Sequence, residues 1–126
     1  METTATLDLE ADEWVIHTPT IKATKFWPGT LGIHATHAVI FARLITKGKD
    51  HGPQSFIVPI RSVKNHKVFP GIEVGDIGTK LGFKSSDNGY LSFNQYRIPR
   101  DHLLSRFVGV NREGVFETKG NPRILF

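Results

Sequence analysis

Glycine and proline interrupt this chain so often that long helices have no room to form. The 126 residues include 12 glycines and 7 prolines, and after Pro70 glycine recurs at positions 71, 75, 78, 82 and 89. A glycine inside a helix costs about 1 kcal/mol relative to alanine, whereas glycine and proline both suit turns. The pattern therefore predicts an all-β fold, a small β-barrel or sandwich of short antiparallel strands with glycine-rich loops.

Several segments between these turns are rich in β-branched and aromatic residues, which favour strands. The predicted strands are Thr4–Leu9, Trp14–Thr18, Thr20–Phe26, Ala38–Thr46, Gln54–Arg61, Tyr90–Phe93 and Tyr96–Ile98. The first two form a hairpin, the third ends at Trp27-Pro-Gly, and two turns of helix are an alternative for the fourth. Pro59 places the fifth at a sheet edge or a bulge, the last two form a pair or one bent strand, and Pro99 begins a helical turn.

The length of the chain predicts one domain, spanning residues 1–126. It has no cysteine, which excludes disulfides, thiolate metal sites and cysteine nucleophiles. Its longest apolar run, Ala38–Ala42, is far shorter than the ~18 residues of a membrane span, and its first residues do not resemble a signal peptide. We therefore expect an intracellular, soluble domain, and the apolar end Pro122–Phe126 suggests that it belongs to a longer chain.

Charge is unevenly distributed along the sequence. The first 13 residues hold five acids and no base, so the rest carries 16 bases against 7 acids, although the net charge of the whole is only +4. Such an excess suits an acidic partner, either nucleic acid or a phosphorylated ligand, but scattered solubilising lysines give the same balance. Bases interleaved with aromatic residues on one strand, as nucleic-acid stacking requires, are not evident, so no nucleic-acid partner is expected.

The common catalytic and metal-binding motifs are missing. The glycines match neither the Walker A loop nor the dinucleotide-binding pattern, and no nucleophile elbow accompanies the serines. His34 and His37 lack a third ligand at suitable spacing, so no metal site is predicted. The carboxylates of the first hairpin are expected to form a solvated tip with ordinary pKa values. Those carboxylates belong to Asp8, Glu10, Asp12 and Glu13.

The most unusual local string is Lys25-Phe-Trp-Pro-Gly-Thr-Leu-Gly32. It places Trp27 at the end of a strand, and Gly29 and Gly32 allow close approach of bare backbone because they lack a Cβ. Such a site suits a flat aromatic ligand, which would pack on the indole while backbone groups meet its edge. Alternatively, Trp27 only caps the core and Pro28-Gly29 is only a turn.

Eight strings together resemble the middle β-domain of the acyl-CoA oxidase family, from residue 2 to about residue 119. They are Glu2–Thr6, Phe26–Gly32, His37–Ile40, Leu44–Lys49, Phe56–Arg61, Pro70–Gly78, Asp87–Leu91 and Tyr96–Arg100. The resemblance implies a peroxisomal FAD enzyme that converts fatty acyl-CoA to trans-2-enoyl-CoA and reduces O₂ to H₂O₂. It further implies that this domain covers the flavin ring and helps to form the acyl-CoA cleft.

By the same resemblance, Gly29 matches a flavin-contacting glycine and Trp27 matches a tryptophan that lies against the flavin in related dehydrogenases. We accordingly expect Trp27, Pro28, Gly29 and Thr30 to bind FAD, and no residue of this chain to be catalytic. The catalytic glutamate, the helical domains and the homodimer contacts would belong to the rest of the parent enzyme, and the chain alone should be inactive. The alternative is a non-enzymatic β-module that keeps the fold as an interaction domain.

Some positions depart from the family pattern. Phe26 stands where several relatives have tryptophan, Thr30 where they have a second glycine, and Ile33–Thr36 replaces a polar run. Related dehydrogenases carry threonine at the position of Gly29. Our hypothesis is that the missing side chain at Gly29 leaves room for O₂ beside the reduced flavin.

Overall fold

The computed structural model describes residues 1–119. The apolar end Pro122–Phe126 lies outside the described residues. Short strands dominate, with one 3₁₀ turn at Ile21–Ala23 and another at Arg100–His102. The strands are β1 (Thr4–Asp8), β2 (Glu13–His17), β3 (Lys25–Gly29), β4 (His37–Thr46), β5 (Lys49–Pro59), β6 (Ile72–Asp76), β7 (Asn88–Phe93), β8 (Tyr96–Pro99), β9 (Val108–Val110) and β10 (Phe116–Thr118).

The strands form three sheets. The largest has the order β5-β4-β1-β2-β8, a second has the order β3-β7-β6, and β9 pairs with β10. All pairs are antiparallel except β1 with β4, which is parallel. The all-β prediction is confirmed, but no sheet of residues 1–119 closes on itself, so the predicted barrel is not found. The edge strand β5 contains Pro53 and Pro59, which have no N–H to offer a further strand.

One apolar core joins the two larger sheets. Trp14 of β2 and Phe56 of β5 are fully buried and meet edge to face, with ring centroids 5.3 Å apart. Leu91 and Phe93 of β7 bring the three-stranded sheet onto the same core. Alternate residues of β2 and β4 point into this core, as period-2 strands require. The core therefore fixes how β3, which pairs with β7, is placed relative to the larger sheet.

The third predicted strand is wrong in its position. Residues 21–23 form the 3₁₀ turn, and the strand runs instead from Lys25 through Trp27-Pro-Gly. Pairing continues past Trp27 because a bulge interrupts the register between Phe26 and Gly29, where Trp27 adopts a φ of 87°. A bulge accommodates the extra residue while the flanking pairs with β7 are kept.

Five further predictions have mixed outcomes. The segment predicted as either strand or helix at Ala38–Thr46 is a strand, and Pro59 does lie on an edge strand. The strand predicted from Gln54 begins earlier, because pairing with β4 already starts at Lys49. The segments at Tyr90 and Tyr96 are neither a pair nor one strand, since β7 and β8 belong to different sheets. The helical turn predicted near Pro99 is present.

The acidic side chains at the tip of the first hairpin pair with arginines as well as facing solvent. Asp8 accepts a hydrogen bond from Arg97 Nη1 at 2.9 Å, and this contact holds the pKa of the Asp8 carboxyl below its usual value. Asp12 lies 2.6 Å from Arg100 Nε. The prediction of an ordinary pKa is therefore wrong for Asp8, because β8 brings basic side chains alongside the tip.

Within residues 1–119, no helix is long and apolar enough to cross a membrane.

Candidate functional site

The edge strand β3 presents two large aromatic side chains to solvent. Phe26 is 64% exposed and Trp27 is 52% exposed, and their ring centroids lie 6.5 Å apart. Exposed aromatic rings side by side are unusual for a surface that has no partner. The interpretation of Trp27 as a cap on the core is therefore wrong, and its indole is available to a ligand or to another protein segment.

The four residues predicted to bind a cofactor, Trp27–Thr30, are consecutive and together form one exposed edge. A Cβ added to Gly29 would meet no atom within 4 Å, so the space beside this glycine is open. Thr30 adopts a φ of 59°, and its hydroxyl donates to the Gly29 carbonyl at 2.7 Å. Pro28 borders an apolar cavity of about 280 Å³ between β3 and β4. The site thus combines the exposed indole of Trp27 with exposed main chain at Gly29, which has no side chain to block a ligand.

Lys25 at the beginning of β3 lines the same cavity. Its ammonium donates to the carbonyl of Phe41 at 2.7 Å, and burial lowers the pKa of the Lys25 side chain. A second groove, of about 740 Å³, lies beside Phe26 and is lined in part by Tyr90 and Glu73. The exposed edge is therefore flanked by one apolar cavity and one wider, mixed groove.

Arg61 supports the loop that follows this edge, which we call the 30–35 loop (residues 30–35). Its side chain is only 5% exposed, and its guanidinium donates to three backbone carbonyls of the loop. The distances are 3.0 Å to Leu31, 2.8 Å to Ala35 and 2.7 Å to Gly32. Because a buried guanidinium is costly unless its donors are satisfied, Arg61 and the loop stabilise each other.

Asp87 holds the same loop by accepting hydrogen bonds from the loop's N–H groups. Its carboxylate accepts from the Ile33 amide at 2.9 Å and lies 2.6 Å from His34 Nδ1, while its own carbonyl accepts from the Thr30 amide at 2.8 Å. The hydrogen bond from His34, together with that from the Ile33 amide, lowers the pKa of the Asp87 carboxyl. The next residue, Asn88, donates from Nδ2 to the Trp27 carbonyl at 2.9 Å.

Gly32 and Gly89 allow the 30–35 loop to lie directly on the three-stranded sheet, and Gly75 makes room for the Tyr90 ring on the same sheet. A Cβ on Gly89 would come within 2.5 Å of the Gly32 nitrogen, and one on Gly32 within 2.8 Å of the Asp76 Cα. A Cβ on Gly75 would lie 2.6 Å from the Tyr90 hydroxyl. Real Cβ atoms do not approach other atoms so closely, so glycine is required at positions 32 and 89, where the obstacles are backbone.

The two histidines considered as metal ligands have other partners. His34 pairs with Asp87, and His37 Nδ1 lies 3.0 Å from the Thr36 hydroxyl. Among the residues that the structure describes, no group of three or more histidine, aspartate or glutamate side chains is arranged to hold a metal ion.

Sequence reasoning located the exposed edge but assigned no role to Arg61, Asp87 or Asn88. Asp87 and Asn88 lie 54 and 61 residues from their partners Ile33 and Trp27, and Arg61 lies 30 residues from Leu31. The available signal was that all three belong to strings that carried the family resemblance. Those strings identified relatives without showing which side chains meet.

Comparisons with known proteins agree on one family, although a scan against family models finds no match. Peroxisomal acyl-coenzyme A oxidase 1 of Arabidopsis thaliana is 54% identical over 128 residues, which cover 99% of this chain and 19% of that protein. A solved structure of Arabidopsis thaliana acyl-CoA oxidase 1 matches with a TM-score of 0.94 at 55% identity, covering 98% of this chain and 19% of that one.

A second solved structure is that of acyl-CoA oxidase-2 from Caenorhabditis elegans, bound with FAD, ascaroside-CoA and ATP. It matches with a TM-score of 0.94 at 43% identity, covering 98% of this chain and 19% of that one. The chain thus spans about 19% of the length of these relatives. The exposed edge and its supports lie within the matched part, and the chain belongs to the acyl-CoA oxidase family.

Proposed function

We propose that this chain is the middle β-domain, residues 1–126, of a peroxisomal FAD-dependent acyl-CoA oxidase. The reaction of that parent converts fatty acyl-CoA and O₂ to trans-2-enoyl-CoA and H₂O₂, the first step of peroxisomal fatty-acid β-oxidation. The observation that carries the proposal is the exposed Trp27–Thr30 edge with open space at Gly29, in a chain 54% identical to an Arabidopsis thaliana acyl-CoA oxidase.

The residues of this edge fit a flavin ring. The Trp27 indole offers a flat apolar surface, and the absence of a side chain at Gly29 allows a planar group to approach the backbone. Because β3 is at the edge of its sheet within residues 1–119, backbone groups on its outer side are available for hydrogen bonding. Trp27, Pro28, Gly29 and Thr30 are the residues that would hold the cofactor.

The contribution of this chain to the reaction is positioning and exclusion of water. FAD, when bound, supplies the hydride acceptor for the desaturation and the electron donor to O₂. Trp27 and Phe26 would shield the bound flavin from solvent, and the backbone at Gly29 and Thr30 would orient its ring. No residue of this chain acts as the catalytic base, which we assign to a glutamate of the remaining domains, in a parent that forms a homodimer.

The proposal is tested by comparing the 126-residue chain with the full-length parent. A site shared among several domains leaves each one with too few contacts to offset the cost of association. We therefore expect the parent to bind FAD and to release H₂O₂ with palmitoyl-CoA, while the isolated chain does neither at micromolar FAD. Peroxide formation by the isolated chain, or a parent that neither binds FAD nor oxidises acyl-CoA, contradicts the proposal.

Replacing Gly29 by threonine in the parent should slow the oxidation of its reduced flavin by O₂. The new side chain enters open space on a β-strand, which suits threonine, so the fold should be unaffected. We expect the rate with O₂ to fall about tenfold, equivalent to about 1.4 kcal/mol in the barrier, while flavin reduction by acyl-CoA changes less.

Stopped-flow absorbance of the flavin measures both half-reactions separately. Gly29→Ala serves as an intermediate, because it adds only a methyl group at the same place. Equal oxidation rates in the wild type and both variants would show that the open space at Gly29 does not serve O₂.

A further inference from the structure

Two oppositely charged residues hold the 30–35 loop, Arg61 through the loop's carbonyl groups and Asp87 through its N–H groups. The Arg61 guanidinium donates to the carbonyls of Leu31, Gly32 and Ala35. The Asp87 carboxylate accepts from the Ile33 N–H, and the main-chain carbonyl of Asp87 accepts from the Thr30 N–H. The guanidinium thus faces carbonyl dipoles and the carboxylate faces the Ile33 N–H dipole, while the main chain of residue 87 holds the Thr30 amide.

Asp87 is also continuous with the residue that holds Trp27. Asn88 follows it at the beginning of β7, pairs in register with Gly29 and donates to the Trp27 carbonyl. The peptide segment 87–88 therefore contacts the exposed edge at Trp27, Gly29 and Thr30 in turn. We expect a shift of Asp87 to move all three, because the segment contacts each of them directly.

We propose that Asp87 is a positioning residue that sets the orientation of the Trp27–Thr30 edge toward the bound flavin. The inference rests on the proposed function and extends it to a residue that does not belong to the edge. The Asp87 side chain is 6% exposed, while its partner His34 is 72% exposed. The carboxylate is thus enclosed beneath the loop, with the imidazole covering it on the solvent side.

The requirement is for a carboxylate rather than for any acceptor. An ionised carboxylate accepts from both the Ile33 amide and His34, and hydrogen bonds to charged groups are stronger than neutral ones. Asparagine at position 87 keeps one oxygen for the Ile33 amide but turns its NH₂ group toward His34 Nδ1. The imidazole must then present that nitrogen as an acceptor, and a charge-assisted contact is replaced by a weaker neutral one. Asp87→Asn therefore loosens the loop without creating a cavity.

The test compares Asp87→Asn with Asp50→Asn in the full-length parent. Asp50 is a matched control, because it lies 2.6 Å from Arg43 Nε and accepts from the Gly52 amide at 2.8 Å. It pairs with Ile45 at the far end of the β4–β5 hairpin, about 26 Å from the loop end of β4 at about 3.3 Å per residue. Both substitutions remove one charge from an aspartate that accepts from a backbone amide and contacts a basic side chain, but the Asp50 side chain is 41% exposed and lies away from the loop.

We expect Asp87→Asn to shift the visible absorption bands of the bound flavin and to slow its reduction by acyl-CoA about tenfold, that is, by about 1.4 kcal/mol in the barrier. Asp50→Asn should leave both unchanged, and Asp87→Glu should restore part of the rate because it restores the charge. An Asp87→Asn parent with the wild-type spectrum and rate overturns the inference, as does an equal change in Asp50→Asn.

A readout without FAD separates this inference from the proposed function. In the 126-residue chain, Asp87→Asn should raise the hydrogen-exchange rate of the Ile33 amide about tenfold and alter the fluorescence of Trp27, the exposed one of the two tryptophans. If the wild-type parent binds no FAD, the proposed function fails and the inference falls with it. If FAD binds but exchange at Ile33 is unchanged in Asp87→Asn, only the inference fails.

Discussion

Replacing Gly89 by alanine is expected to lower the free energy of unfolding by about 3 kcal/mol, as overpacking of a close backbone contact does. The added methyl group would lie 2.5 Å from the Gly32 nitrogen, 2.8 Å from its Cα and 2.9 Å from the Gly75 carbonyl oxygen. All three obstacles are backbone atoms, so no side-chain rotation relieves them. Either β7 moves away from β6 or the 30–35 loop is lifted from the sheet.

Urea denaturation of the chain measures this change, and Gly82→Ala is the matched control. A Cβ on Gly82 would meet no atom within 4 Å, and its φ is outside the left-handed region. The control should therefore remain within about 0.5 kcal/mol of the wild type. Equal midpoints for Gly89→Ala and Gly82→Ala would mean that the loop does not lie on the sheet as described. In the parent, Gly89→Ala should also weaken FAD binding, because the loop carries Thr30.

Trp14→Ala is expected to cost about 4 kcal/mol of stability, within the range measured for large aromatic residues in cores. The side chain is fully buried and packs edge to face on Phe56. Its indole N–H also donates to the Arg100 carbonyl at 3.0 Å. The substitution therefore leaves a large cavity and removes one of two hydrogen bonds to the Arg100 carbonyl, which also accepts from the Leu103 amide at 3.3 Å. Both changes are destabilising.

Trp27→Ala is the control, because it removes the same side chain from the surface. Trp27 is half exposed and belongs to an edge strand, so its loss should change the free energy of unfolding by less than about 1 kcal/mol. In the parent, however, Trp27→Ala should weaken FAD binding, whereas any loss in Trp14→Ala should follow the fraction of unfolded protein. Similar destabilisation by the two substitutions would contradict the assignment of Trp14 to the core and Trp27 to the site.

Local sequence patterns predicted six of the ten strands between residues 1 and 119, placed β3 wrongly and missed β6, β9 and β10. The hairpin of β1 and β2 follows from alternation and a short polar turn, which are local properties. The segment Ile21–Ala23 has a strand-like composition but forms a turn, and β3 continues through a proline because pairing with β7 outweighs local preference. β7 and β8 are separated by only two residues yet join different sheets.

The candidate site was predicted in part. The adjacent aromatic residues and the glycine that follows them indicated an exposed edge for a flat ligand, and Gly29 and Trp27 do lie on that edge. The support of the site was not predicted. Arg61 is one of several basic residues in the sequence, and only the fold shows that it is buried and donates to three carbonyls.

The sequence by itself determined the all-β class, the place of most turns and the string that forms the exposed edge. These depend on properties of neighbouring residues, namely the conformational freedom of glycine, the missing N–H of proline and the alternation of apolar side chains. The tertiary structure alone decided that the sheets formed by residues 1–119 stay open and that Arg61, Asp87 and Asn88 meet the loop after Trp27. Hydrogen bonds between residues 30 to 61 positions apart depend on strand order and register, which are fixed only when the whole core is packed.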